Sequence, residues 1–160
     1  MKEKGTSIIV ATVSRVMIPF IQLFALYVII HGSGGPGGGF QGGVIFGASF
    51  ILYVIVYHWE GGRKRLPEGA NTIFSSLGLY IYAGTGLLAI LFSVGAAQYL
   101  NYGFIPFTSH FVENRALGME CVEIGIGITV MAVTASIFFD LAAEGGEEGE
   151  APRPEGGASG

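Results

Sequence analysis

Four long apolar runs, separated by short polar stretches, dominate the chain. They read "SIIVATVSRVMIPFIQLFALYVII" (7–30), "GGVIFGASFILYVIVYHW" (42–59), "TIFSSLGLYIYAGTGLLAILFSVGAAQYL" (72–100) and "LGMECVEIGIGITVMAVTASIFFDL" (117–141). About 20 helical residues cross a hydrocarbon core of about 30 Å, and each run reaches that length or nearly so. Inside hydrocarbon every backbone N–H and C=O needs an internal partner, so only helices or closed barrels span it. Barrel strands would show short alternating segments between frequent turns, which these runs lack. The pattern predicts an all-α integral membrane domain over residues 1–141, with transmembrane helices at about 7–30, 40–59, 72–100 and 117–141. The first run is too long for a signal-peptide core and is interrupted by Arg15, Pro19 and Gln22. No small-residue cleavage site follows it convincingly, so it is read as a retained helix.

Composition agrees with a membrane chain. Of 160 residues, 51% are hydrophobic and only 12% charged, where a soluble domain carries about 25% charged residues. The last stretch, 142–160, is acidic and rich in Gly and Pro, and it predicts a disordered, solvated tail. With four spans, both termini and the second loop share one side. That side holds Lys2, Lys4, Arg63, Lys64, Arg65 and Arg153, against only Arg115 on the other. Basic residues stay in the cytoplasm, so both termini are expected there. Tyr57 and Trp59 would mark the inner interface, and Tyr99, Tyr102 and Phe104 the outer one, where amphipathic rings settle. The single Cys121 has no second cysteine for an internal disulfide.

The segment "HGSGGPGGGFQGG" (31–43) joins the first two runs, and eight of its thirteen residues are glycine. Gly32 to Gly37 formally fits G-x-G-x-x-G. A dinucleotide fingerprint needs a preceding strand in a βαβ unit, and here the match follows a membrane helix. A Gly/Ser tether would be longer and polar at both ends. Close packing explains the stretch better. Gly39, Gly43 and Gly47 fall at i, i+4 and i+8 on one face of the second helix, and small residues at that spacing let two helix backbones approach. Pro36 fixes one φ before that helix, and Gly37, Gly38 and Gly42 leave the turn free. The glycine face is expected to meet a neighbouring backbone in another subunit, with Ser49 outside it. His31 is expected to bond the glycine turn through its ring, and Gln41 to bond across helices.

Ionisable groups inside a membrane are costly and are functional candidates by default. Glu120 and Glu123 lie at i and i+3 on one face of the fourth helix. Glu120 is expected near the outer interface and Glu123 deeper, as an ion relay or as the acceptor of a partner's Lys or Arg. Arg15 falls in the opposite leaflet, roughly 15 Å from the level of Glu123 at 1.5 Å per residue. It is expected to snorkel to the cytoplasmic side, toward Asp140 or lipid phosphate, as an anchor or an intersubunit contact. His31 and His110 share the outer side, but no third ligand completes a metal site. No metal, organic cofactor or nucleic acid is expected.

The stretch "HGSGGPGGGFQGGVI" (31–45), including Phe40, closely resembles the signature of the MrpB (MnhB) family of small four-helix subunits of multisubunit Na⁺/H⁺ antiporters, with Ser33 where the family commonly has a second histidine. The resemblance covers about residues 7–141. It implies a prokaryotic cell-membrane subunit that packs beside antiporter-like and other small Mrp-type subunits in a complex moving Na⁺ and H⁺. Related modules in archaeal membrane-bound hydrogenases and sulfane-sulfur reductases carry a redox arm, whose chemistry would belong to partners. Two other classes compete with this reading. An independent carrier or channel should line its own pore with polar residues on several helices, whereas the second run has only Ser49 between Val44 and Tyr57. An enzyme would need a nucleophile–base constellation, and none is recognisable.

Overall fold

The computed structural model describes residues 8–32, 37–93 and 98–148. Its main elements are four helices, α1 (Ile8–Ile30), α2 (Gly39–Arg65), α3 (Glu68–Phe92) and α4 (Phe111–Glu148), with a short 3-10 turn at Tyr102–Phe104. Each contains a segment long and apolar enough to cross a membrane: Ile8–Ile30, Gly39–His58, Glu68–Phe92 and Phe111–Ala143. The all-helical, four-span architecture is the one predicted, whereas several of the helix boundaries differ from the prediction.

The third helix begins four residues earlier than expected, because Pro67 (φ −65°, ψ 147°) leads directly into the helix and Glu68 sits favourably in its first turn. It also ends eight residues earlier, at Phe92 rather than 100. Ser93 and Gly95, weak helix formers, follow there. Tyr99 and Tyr102 therefore do not extend α3. They fold back, Tyr99 against Gly86 of α3 and Tyr102 against Gly118 of α4. The fourth helix starts six residues early, at Phe111, held by buried Asn114. The Asn114 side-chain oxygen accepts from the Thr108 N–H at 2.7 Å, and its amide donates to the Thr108 and Gly103 carbonyls. At its other end α4 runs on to Glu148, so 142–148 is helical, and 149–160 lies outside the described residues.

The second helix continues past the expected end at 59 to Arg65, through a kink at His58 (φ 65°, ψ 167°). Beyond the kink, Gly62 packs on Val54 and Phe139, and buried Leu66 joins Val54, Ala135 and Phe139 in a small apolar cluster. The Arg63 guanidinium lies 4.5 Å over the Phe139 ring. The basic last turn, Arg63–Arg65, also suits the negative end of the helix dipole.

The helices lie in a row, in the order α1, α2, α4, α3, with only slight contact between α1 and α4. Neighbours touch through their smallest residues. Ala25, Ala89, Ala132 and Ala135 are at most 1% exposed, while Phe20, Tyr80, Leu91 and Ile137 stand outward. That inversion suits a lipid solvent, which is as apolar as leucine and leaves backbone approach as the main source of helix–helix contact.

Candidate functional site: a carboxylate under the glycine turn

The sequence "MECVEIGIG" (119–127) sends successive residues of α4 to different neighbours. Gly125 faces α3, where an added Cβ would lie 2.9 Å from the Gly78 carbonyl oxygen. Glu123 and Gly127, four residues apart, face α2. A Cβ on Gly39 would strike the Glu123 carbonyl, one on Gly43 would lie 2.6 Å from the Gly127 oxygen, and one on Gly47 would lie 3.3 Å from the Met131 oxygen. The glycine face of α2 is thus covered by α4 of the same chain. The expectation that it meets another subunit is corrected, while Ser49, about 200° around the helix from Gly47, lies off this face as expected but is no lipid-facing position. That residue is fully buried, with its hydroxyl donating to the Phe46 carbonyl at 2.6 Å.

This seam carries the Glu123 carboxylate to the turn between α1 and α2. One oxygen, Oε2, occupies the space that a Cβ on Gly32 would need, and Oε1 lies 3.6 Å from the corresponding position on Gly38. Glycine at 32 is what leaves room for the acid. Oε2 is buried and has no hydrogen-bond partner among the described residues. An ionised carboxylate in that state is expensive. The arrangement therefore favours a bound proton, a cation, or a basic group brought by another chain. Glu120, half-buried one turn earlier, makes no hydrogen bond or ion pair among the described residues.

The rest of the motif faces elsewhere. His31, Gly37, Phe40 and Gln41 line an apolar cavity of about 620 Å³ whose walls come from α1, α2 and their connection. The His31 ring stacks on Tyr27, with centroids 5.0 Å apart and planes 18° from parallel. Residues 33–36, which include Pro36 and the turn that His31 was expected to bond, lie outside the described residues. Gly42 faces α1, where an added Cβ would lie 2.8 Å from the Ala25 carbonyl oxygen.

Arg15 and Glu123 lie toward opposite ends of the helices, farther apart than the roughly 15 Å expected. Arg15 is level with Tyr57 and Glu123 with Gly39, so about 27 Å of α2 separates them. Asp140 is exposed on α4, and no ion pair joins it to Arg15 among the described residues. Instead the Arg15 Nε donates to the Tyr57 hydroxyl at 3.3 Å, and that hydroxyl donates to the Ala11 carbonyl at 3.3 Å.

Sequence reasoning also missed a buried amide. Asn71 Nδ2 donates to the Ala132 carbonyl at 3.0 Å and to the Ser136 hydroxyl at 2.6 Å, tying α3 to α4. Starting the helix at Pro67–Glu68 would have placed Asn71 inside it.

Comparison with known proteins follows the same residues. Positions 9–136 match the family described as "Domain related to MnhB subunit of Na+/H+ antiporter". The chain is 29% identical over 150 residues to a Na(+)/H(+) antiporter subunit of Bacillus subtilis (strain 168), covering 89% of this chain and 98% of that one. It is 28% identical over 144 residues to a protein of Staphylococcus haemolyticus (strain JCSC1435) carrying the antiporter-subunit name mnhB2, covering 90% and 99%.

Proposed function

This chain belongs to the MnhB family, and from that premise we propose that it is a small membrane subunit of a multisubunit Na⁺/H⁺ antiporter-type complex in the prokaryotic cell membrane. It packs beside other Mrp-type subunits and contributes Glu123 to the cation path. The observation that carries the role of Glu123 is its buried, unpartnered Oε2 beneath Gly32 and Gly38. A carboxylate so placed trades a proton for Na⁺ or holds a partner's cation.

The row of helices supports a subunit over an independent channel. A pore needs a ring, and here α1 and α3 sit at opposite ends, each packed chiefly on one neighbour. Their outward faces, including Phe24 and Leu79, await lipid or other chains.

The test is Glu123→Gln, which removes the charge and keeps the shape. Na⁺-dependent ΔpH in inverted vesicles is expected to fall about tenfold, the change that about 1.4 kcal/mol produces, with the complex intact on native gels. Glu120→Gln should act more mildly. Full activity in Glu123→Gln leaves the chain as scaffold. Companions recovered with the tagged chain decide the form of the complex. Antiporter subunits alone mark a plain antiporter, and a hydrogenase-like large subunit marks an attached redox arm.

The orientation belongs to the same reading, with both termini and the Arg63–Arg65 turn on the cytoplasmic side. In a Cys121→Ser background, cysteines at positions 64 and 109 should label from opposite sides. Labelling of position 64 from outside intact cells overturns it.

A further inference from the structure

At the end of the helices far from Glu123, α1 and α2 enclose a cleft of about 360 Å³. Arg15 enters it from α1 and Arg65 from the last turn of α2, the rings of Tyr53 and Tyr57 form its wall, and Ile18 and Pro19, with the Gln22 amide beyond them, form its deeper part. The two tyrosine ring centroids lie 4.7 Å apart, with their planes tilted by 34°. Each holds one guanidinium. Arg65 lies 5.0 Å over the Tyr53 ring, and the Arg15 Nε bonds the Tyr57 hydroxyl. No described carboxylate pairs with either arginine. Two positive groups thus converge on one cleft, and the terminal nitrogens of Arg15 are left to donate.

The height of the cleft identifies what neutralises them. The apolar span of α2 ends at His58, one residue after Tyr57. Arg15 and Tyr57 therefore stand at the membrane boundary, with Ile18 and Pro19 about one turn deeper. Phosphate groups of the bilayer lie at that level, with glycerol and acyl chains just beneath. A planar guanidinium matches phosphate oxygens two at a time, and basic pockets between helices on the cytoplasmic side take up anionic headgroups. A soluble anion would fill only the arginine end and leave the Ile18–Pro19 part empty.

We infer that this cleft binds the phosphodiester of an anionic phospholipid, with Arg15 and Arg65 on the phosphate and an acyl chain running past Ile18 and Pro19. The lipid then ties the edge helix α1 to the kinked end of α2.

The probe is palmitoyl-oleoyl phosphatidylglycerol added to the delipidated full chain in detergent, with binding read by native mass spectrometry. Phosphatidylcholine serves as the zwitterionic control. Wild type should retain the anionic lipid in preference to phosphatidylcholine. Arg15→Gln and Arg65→Gln should each weaken retention at least about fivefold, the weight of one basic residue near an anionic surface. Lys64→Gln, an exposed charge outside the cleft, should change it by less than half as much. Arg65 lies beyond the span, so its variant reports even if Arg15→Gln impairs folding. Equal retention of the two lipids overturns the assignment, and so does an equal effect of Lys64→Gln. Displacement by excess inorganic phosphate would mean a free-anion site instead. Absence of the anionic lipid from the wild-type assembled complex would mean that a neighbouring protein acid fills the cleft.

Discussion

Replacing Gly43 tests the seam on which the placement of Glu123 depends. A Cβ at this position would lie 2.6 Å from the Gly127 oxygen, 2.9 Å from the Val130 Cβ and 3.1 Å from the Gly127 Cα. Two of those three atoms are backbone of α4, so no rotamer change relieves the overlap. Restoring ordinary contact at 3.4 Å requires α2 and α4 to part by about 0.8 Å. A gap of 0.5–1 Å forfeits roughly a quarter to a half of each dispersion contact along the seam, and overpacking of this kind costs about 1–3 kcal/mol. Gly43→Ala should therefore lower the melting temperature of the purified chain in mild detergent by several degrees, at a few degrees per kcal/mol. Gly43→Leu, with three more carbons, should prevent the compact fold. Ala48→Leu, on an exposed position of the same helix, is the control and should melt with wild type. A Gly43→Leu chain that melts with wild type would mean that the two backbones do not approach at this position, and the seating of Glu123 beneath Gly32 would lose its support.

Two further substitutions test the position of the carboxylate. Gly32→Ala puts a methyl where the Glu123 Oε2 lies and 2.7 Å from the Gly38 Cα, so its melting temperature is measured beside its activity, whereas Gly38→Ala leaves its methyl 3.6 Å from Oε1, an ordinary contact. Na⁺-dependent ΔpH in inverted vesicles should therefore fall in Gly32→Ala and persist in Gly38→Ala, with both complexes assembled, and equal activity in the two would refute a positioned carboxylate. In the outer loop, burial pushes the Tyr102 phenol above its ordinary value of 10.0, and nearby Tyr82 and Tyr99 add to the shift. A group with a raised folded-state pKa stabilises fully below its unfolded value and loses that contribution as pH rises through the folded one. Proteolysis between residues 98 and 110 should accelerate above about pH 10 in wild type and less so in Tyr102→Phe, and identical pH profiles would exclude Tyr102 as the cause.

The existence of four spanning helices was legible because hydrophobic length alone sets it. The ends were less legible, since they depend on contacts that hydropathy does not record. Asn114 fixes the start of α4 by bonding Thr108 and Gly103, polar residues that a hydropathy reading assigns to the loop. The short helix after His58 exists because Gly62 and Leu66 close over Val54 and Phe139, a contact between segments about 75 residues apart. By contrast, the start of α3 carried a local signal in Pro67–Glu68 that the apolar run at 72–100 overshadowed.

The candidate site shows a similar division. Composition singles out the glycine stretch, and the cost of intramembrane charge singles out Glu123. Their meeting depends on stagger. Helix α4 begins twelve residues before Glu123, so the α3–α4 pair extends about 18 Å past the α1–α2 turn, and the acid lies level with that turn. The same geometry limits what this chain can do alone. Glu123 faces α2 with Gly39, and Ser49, the only polar residue from Val44 through Leu52, spends its hydroxyl on its own helix. The nearest hydroxyl on α4, the half-buried Thr129, faces α3 instead and donates to the Gly125 and Ser75 carbonyls. On the proposed reading, a proton or Na⁺ that reached Glu123 would find no continuous file of polar groups toward the other side within the described residues. On that same reading we infer that its onward route runs along a surface of the row that another subunit closes.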